Sequence, residues 1–584
     1  MTGGAGRRRA GRPVRYIEGD DRMEWLSGML QKYPELAVYL AVAVGYWVGQ
    51  FRLGGFSFGS VTGSLIAGIL VGYLFHVPVS STAKSLLFLL FLFGIGYSVG
   101  PQFFKTMRGQ GLRWALLAIF MSCVGLLGAY AVARLLHLDA GFAAGMLSGA
   151  LTESPAIGTA SEAIKSLPIP ELEQQRLIGH IAVADALCYV FGAFGVIVVC
   201  SVIGPRLLRI DLSAEATRLE GELGLVRTKA GVASAWRTFS LRAYRVPADG
   251  AVVNRTVAAA EALVPHARVF VMRIRRGGDL LEATPDTVIR ADDVLAVAGR
   301  TEVLIQTLGA RAAEVADREL LDVPVAAYEV LVAGKGFAGR TLEEIGRDDV
   351  ARGVFLRAIR RGEQAIPIAA RTVIERGDLL TLAGPEHALI EVAALVGVVV
   401  RPTDKTDFVS LGLAIVVGAL VGAAVAIPVG KLHVSLGTSV GTLIAGLVVG
   451  WLRTLYPLFG RIPDAAISFM TALGLAAFVA MIGLTAGPLF IDALREAGVS
   501  MLFGGMVVTL LPLLSGLYFG RHVLRLNPLL LLGGISGAQT MTAALAAVQD
   551  KSGSPIAVLG YSGTVAIGHV LLTVWGTVIV LLMS

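Results

Sequence analysis

Two stretches of the chain interrupt apolar runs with residues able to bind oxygen and nitrogen groups. In GMLSGALTESPAIGTA, residues 145–160, the run is broken by Ser148, Gly149, Thr152, Glu153, Ser154 and Pro155. In SGAQTMTAALA, residues 536–546, Ser536, Gly537, Gln539, Thr540 and Thr542 stand in the same places. Hydroxyls and amides bind oxygens without a fixed charge. A helix broken at membrane depth leaves backbone N–H and C=O groups that only protein or a water-filled cavity can satisfy, and it aims a helix N-terminus at whatever fills the cavity. Such a pair of breaks suits a carboxylate, although small and hydroxylated residues also let membrane helices pack closely. Glu153, Asp185 and His569 lie well inside apolar segments. An acid there costs several kcal/mol unless neutralised, hydrated or paired. Glu153 is therefore expected to hold a substrate ammonium or carry a coupled proton. Asp185 and His569 are further coupling candidates, against the plainer roles of a solvated acid and a hydrogen-bonded packing residue.

The elements that must position these groups follow from composition. Of 584 residues 55% are hydrophobic and 16% charged, with 50 Lys+Arg against 43 Asp+Glu and 71 glycines. This excludes an ordinary soluble enzyme, disorder and a nucleic-acid-binding chain. Cys123, Cys188 and Cys200 all sit in apolar stretches, so neither a disulfide framework nor a metal site is expected, and no cofactor. Apolar runs of membrane-crossing length occur at 35–52, 59–75, 82–104, 112–135, 140–164 and 177–205, and again at 408–428, 437–454, 466–490, 497–519, 527–549 and 556–583. Residues 209–407 between them are charged and rich in turns, as in a soluble insert. Residues 1–34, with Arg7, Arg8, Arg9, Arg12 and Arg15, read as a polar arm rather than a secretory signal.

The two apolar blocks are copies. GSLIAGILVGYL (63–74) matches GTLIAGLVVGWL (441–452), GIGYSVGPQFF (94–104) matches MIGLTAGPLFI (481–491), and the two SGA-containing breaks match in the same order. The paired Gly68/Gly72 and Gly446/Gly450 mark close helix packing. Gly100-Pro101 and Gly487-Pro488 are expected to end or kink the third spans and let the broken segments approach. The insert is also a tandem, 274–299 matching 359–384, each copy a small α+β unit with a hairpin. GKGFAG at 334–339 has dinucleotide-fingerprint spacing but reads as a plain turn, because the first copy lacks it. If each fifth segment is a re-entrant hairpin, each half crosses five times, the halves are inverted, and Lys105, Arg108, Arg113, Arg453, Arg461, Arg521 and Arg525 share the insert's side. The basic arm then lies on the opposite side.

With two GP- and SGA-x-T-containing membrane blocks flanking two tandem insert domains, the chain resembles the aspartate:alanine exchanger family of bacterial transporters, and the insert copies resemble the TrkA-C (RCK_C) domain. The resemblance implies a polytopic α-helical membrane protein of elevator type, with inverted halves of about five crossings plus a broken hairpin each. It divides the chain into an arm (1–34), membrane repeats (35–208 and 408–584) and RCK_C-like domains (238–310 and 322–398). It further implies an inner-membrane secondary exchanger of acidic amino acids or dicarboxylates such as aspartate or succinate, not an enzyme. The insert would be cytoplasmic, taking a small regulatory ligand such as a nucleotide through linkers near 209–237 and 393–407, and the assembly a homodimer. An acidic Glu153 in an anion site favours a zwitterion carrying an ammonium. A divalent-anion symporter would show Ser-Asn-Thr at both tips, and a potassium channel a TVGYG-like filter loop; the sequence has neither.

Overall fold

The computed structural model describes residues 19–584 apart from 54–55, 58, 108–110, 224–238, 265–268, 310–311, 335, 349–350, 362–363, 401–404, 430–431, 436 and 457–458. The basic arm residues, Arg108 and residues 224–237 of the first expected linker lie outside the described residues. Residues 19–32, read above as part of a polar arm, instead form helix α1 (Gly19–Lys32), whose Leu30 is buried against Val38, Val71 and Phe75.

The first membrane half continues with α2 (Pro34–Gly49), α3 (Ser60–Phe75), α4 (Ser81–Thr106), α5 (Leu112–Leu135), a broken pair α6 (Ala140–Ala150) and α7 (Pro155–Ser166), and α8 (Glu171–Val198), which runs on through a π turn to Leu208. The amphipathic α9 (Leu212–Leu223) follows. In the insert, β1 (Phe239–Arg245), β2 (Val269–Arg276), β3 (Asp279–Glu282), β4 (Val294–Arg300) and β5 (Ala313–Glu314) form an antiparallel sheet of order β3-β2-β4-β1-β5. The second copy repeats that order as β8-β7-β9-β6-β10 with β6 (Val325–Val332), β7 (Phe355–Arg361), β8 (Gln364–Ile366), β9 (Leu379–Pro385) and β10 (Gly397–Val399). The α10 helix (Glu386–Val396) and β10 pack on β6, so the second domain extends through Val399 and takes up the start of the expected 393–407 linker. GKGFAG leads from β6 into turns and a helix of five residues, within an antiparallel sheet and without the long helix of a dinucleotide fold.

The second membrane half has α11 (Phe408–Ala424), α12 (Thr438–Leu455), α13 (Asp464–Ala486), α14 (Phe490–Ala497), α15 (Ser500–Tyr518), a second broken pair α16 (Pro528–Ala538) and α17 (Thr542–Ser552), and α18 (Val558–Met583). Among the described residues, seven helices are long and apolar enough to cross a membrane, and α2, α3, α6, α11 and α16 are shorter apolar helices.

The two halves interlock. Helix α3 packs along α13 of the other half, and α12 packs along α4. Glycines set both seams. A Cβ on Gly68 would lie 2.4 Å from the Ala480 carbonyl oxygen and one on Gly483 2.5 Å from that of Leu65; Gly450 meets Tyr97 at 2.2 Å and Gly100 meets Leu447 at 2.3 Å in the same way. Backbones this close leave no room for any other residue. The third spans differ at their Gly-Pro pairs: α4 does not end at Gly100-Pro101 but continues through Pro101 to Thr106, so of the expected end or kink the end is excluded there, whereas α13 gives way at Gly487–Leu489 to a 3-10 turn before α14. One more carboxylate, Glu162 on α7, caps α12 from across the molecule, accepting from Thr438 N at 2.7 Å and Ser439 N at 3.1 Å. At the insert, Gln102 near the C-terminus of α4 donates to the Arg361 carbonyl (2.9 Å), and Arg360 pairs with Asp464 at the N-terminus of α13 (2.5 Å).

Candidate functional site

Each broken pair is built the same way. Its first helix is capped by a side chain at its start: Asp139 accepts from Phe142 N in α6, and Asn527 from Leu529 N and Leu530 N in α16. Eleven residues span about 16 Å, roughly half of a ~30 Å hydrocarbon core. Both first helices then end in a Schellman turn. In the first, Glu153 N reaches back to Ser148 O (2.9 Å) and Thr152 N to Gly149 O (3.1 Å). In the second, Met541 N bonds Ser536 O (2.9 Å) and Thr540 N bonds Gly537 O (2.9 Å). The left-handed residue is a threonine both times, with φ +56° at Thr152 and +53° at Thr540. A β-branched residue there costs about 1–3 kcal/mol, and such strain clusters at functional sites. Pro155 occupies the first position of α7, where its missing N–H costs nothing.

The two tips touch through those strained threonines. Thr152 Oγ1 donates to the Gln539 carbonyl and Thr540 Oγ1 donates to Glu153 Oε2, each at 2.9 Å. Glu153 is 1% exposed. Its other oxygen accepts from Thr573 Oγ1 (3.1 Å) and faces His569 Nδ1 (3.3 Å), both on α18. Among the described residues, neither the amide nitrogen nor the amide oxygen of Gln539, also 1% exposed, finds a hydrogen-bond partner. A buried amide without partners forfeits the hydrogen bonds it would make in water, at a cost of about 1–3 kcal/mol.

Asp185 on α8 is buried and accepts from Ser148 Oγ at 2.6 Å, so these two of the expected residues meet one another. Gly149 lies against the Asp185 backbone, where a Cβ would come 2.6 Å from its carbonyl oxygen, and Gly537 against Thr564, 2.3 Å from its hydroxyl. Ser536 donates within its own helix to Leu532 O. Ser154 is buried at the start of α7 and Thr542 is exposed at the start of α17; neither takes part in the Glu153 cluster through a described hydrogen bond. Thr573 was missed by sequence reasoning, although its place four residues after His569, on the same face of an apolar helix, was the available signal. Thr509 was missed as well: it donates to the Ala150 carbonyl left open by the end of α6.

Among the described residues one His/Asp/Glu group has metal-ligand chemistry, Asp139, His180 and Glu496. The His180 Nδ1 faces Asp139 at 2.6 Å and its Nε2 faces Glu496 at 3.7 Å, so the ring bridges two carboxylates.

Comparison with known proteins agrees with this architecture. The model of the family described as "Predicted Permease Membrane Region" matches residues 37–205 and 410–581, and the TrkA-C domain model matches 241–308 and 327–397. An uncharacterized transporter of Bradyrhizobium diazoefficiens is 53% identical over 88% of this chain and 100% of its own. One of Shewanella oneidensis is 38% identical over 96% and 100%, and one of Zymomonas mobilis 34% over 96% and 99%.

Proposed function

The chain belongs to the aspartate:alanine exchanger family, with two permease regions flanking two TrkA-C domains, and on that premise we propose that it is a secondary exchanger of acidic amino acids or small dicarboxylates in the bacterial inner membrane. The reading rests on the junction of the two hairpin tips, where the unbonded Gln539 amide lies beside the Thr152 bridge to the Gln539 carbonyl and the Thr540 bridge to Glu153. An amide offers both a donor and an acceptor. A substrate carboxylate takes its N–H groups and the helix N-termini, while a substrate ammonium takes its oxygen and Glu153. Glu153, with His569 beside it, is the ionisable group at this junction on which coupling would act.

Movement follows from which parts are locked. The glycine seams bind α3 to α13 and α12 to α4 into one scaffold, against which the hairpins with α5, α8, α15 and α18 slide. Inverted halves are supported by the insert contacts: equivalent helices α4 and α13 meet it by opposite ends, through Gln102 and Asp464. The hairpins then enter from opposite faces, and the insert is cytoplasmic. The residues from Ala140 to Ser161 are buried apart from partly buried Thr152, while Thr542, Ala543 and Ala546 are exposed, which supports a state open beside the second hairpin.

Counterflow in proteoliposomes tests this. Labelled aspartate should enter only when aspartate, alanine or succinate is inside; sodium-driven net uptake from empty vesicles would make the protein a symporter. If Thr152→Ala and Thr540→Ala both leave substrate affinity and exchange unchanged, the site lies elsewhere.

A further inference from the structure

Where the second insert domain meets the membrane helices, a cleft of about 560 Å³ opens, within the ~300–1,000 Å³ usual for small-molecule sites. Three arginines line it from three elements: Arg360 on β7, Arg453 in the last turn of α12, and Arg461 just before α13. Glu329 and Asp464 are the acids lining it, so cations prevail. The described bonding partner of Arg453 is neutral: its guanidinium donates to Tyr97 Oη at 3.0 Å and sits 5.7 Å from the centre of that ring. A guanidinium anchored by a phenol keeps its charge for what enters the cleft.

The two insert copies use the equivalent arginine differently. In the first copy Arg275 is clamped by Asp317 and Glu319, in the connection between the insert domains. In the second, Arg360 turns to Asp464 of the membrane region, and both partners are largely exposed. The neighbouring Arg361 keeps its place inside the domain, bound to Asp378, and offers its carbonyl to Gln102 of α4. Strand β7 thus touches two scaffold helices at the mouth of a basic cleft.

We propose that this cleft binds a phosphate-bearing anion, held by Arg360 from the insert and by Arg453 and Arg461 from the membrane region, and that its occupancy fastens the insert to α12 and α13. Arginine forks suit phosphate oxygens. A phosphorylated solute and an anionic lipid headgroup share this chemistry, and the cleft, at the join of soluble and membrane parts, is open to either. The proposal is independent of what the hairpins carry.

Thermal unfolding of the purified full chain in neutral detergent tests it, with pyrophosphate in one arm and cardiolipin-doped micelles in the other. One probe should raise the unfolding temperature in a saturable way, pyrophosphate marking a soluble ligand and cardiolipin a lipid. Arg453→Gln, which can still bond Tyr97, and Arg360→Gln, on an exposed edge of the insert, should each raise the half-saturating concentration at least tenfold. Should Arg453→Gln fail to give a monodisperse protein, Arg360→Gln decides alone. No shift with either probe, or half-saturation unchanged in the variants, overturns the proposal.

Discussion

The first broken hairpin (140–166) and the second (528–552) share a backbone and little of what is attached to it. Both first helices are side-chain capped, run for eleven residues and end in the same Schellman turn on a strained threonine. Glu153 in one stands where the other has Met541, Pro155 where it has Ala543, and the first is buried where the second is partly exposed. Duplication has kept the geometry of the break and let its chemistry diverge. The break is shared architecture, and Glu153, which accepts from Thr540 of the other tip, is what one copy alone brings to the junction.

Copying one tip onto the other breaks the comparison most sharply. Glu153→Met gives the first tip the second's residue and removes the acceptor of the Thr540 and Thr573 hydroxyls; a buried donor left unsatisfied costs about 1–3 kcal/mol. Labelled-aspartate exchange should fall by roughly 100-fold or more, with the protein still monodisperse. Replacing the shared architecture should instead hurt both halves alike. Gly149→Ala and Gly537→Ala each press a methyl onto the facing helix and should destabilise by about 1–3 kcal/mol, read as a lower unfolding temperature in detergent. The bridging threonines should separate. Thr540 donates to a carboxylate, worth about 1.5–3 kcal/mol, and Thr152 to a carbonyl, worth about 0.5–1.5 kcal/mol. Thr540→Ala should thus raise the substrate KM more than Thr152→Ala, and equal effects would show the two tips to be functionally symmetric. Glu162→Gln weakens the cap that α7 places on α12, worth about 1 kcal/mol; faster exchange with unchanged KM would mark that cap as a restraint on sliding.

The smallest effect concerns the insert copies. The Arg275 guanidinium holds the Asp317 carboxyl below the usual carboxylate range. A group with a lowered folded pKa contributes its stability fully above the unfolded value, near 3.9 for Asp, and loses it as the pH falls through the lower folded value. Hydrogen exchange over residues 317–321 should stay protected from pH 5 to about 4 and open below that, and Arg275→Gln should remove this acid dependence.

Much of this was legible in the sequence because repeats carry their own control. Two SGA-x-T matches located both breaks, and the GxxxG pairs located both seams. Periodicity said nothing of what each seam faces, since Gly68 and Gly446 look alike while their partners, Ala480 and Phe93, lie hundreds of residues away and are identifiable only in three dimensions. Thr573 stood four residues after His569 in the sequence, but which of the threonines of that span matters is plain only when Glu153 arrives from the other half. At Gly100-Pro101 the sequence left an end and a kink both open, and α4 runs on through Pro101 where α12 packs along it at Gly100.

The crossed seams also bear on how the chain is made. Helices α3 and α4 find their glycine partners on α13 and α12, which the ribosome delivers only after the whole insert. The first half therefore waits in the bilayer with its close-packing faces unfilled while some 200 residues of soluble domain fold behind it. Two fragments split within residues 224–238 and expressed together should assemble, whereas either alone should be degraded.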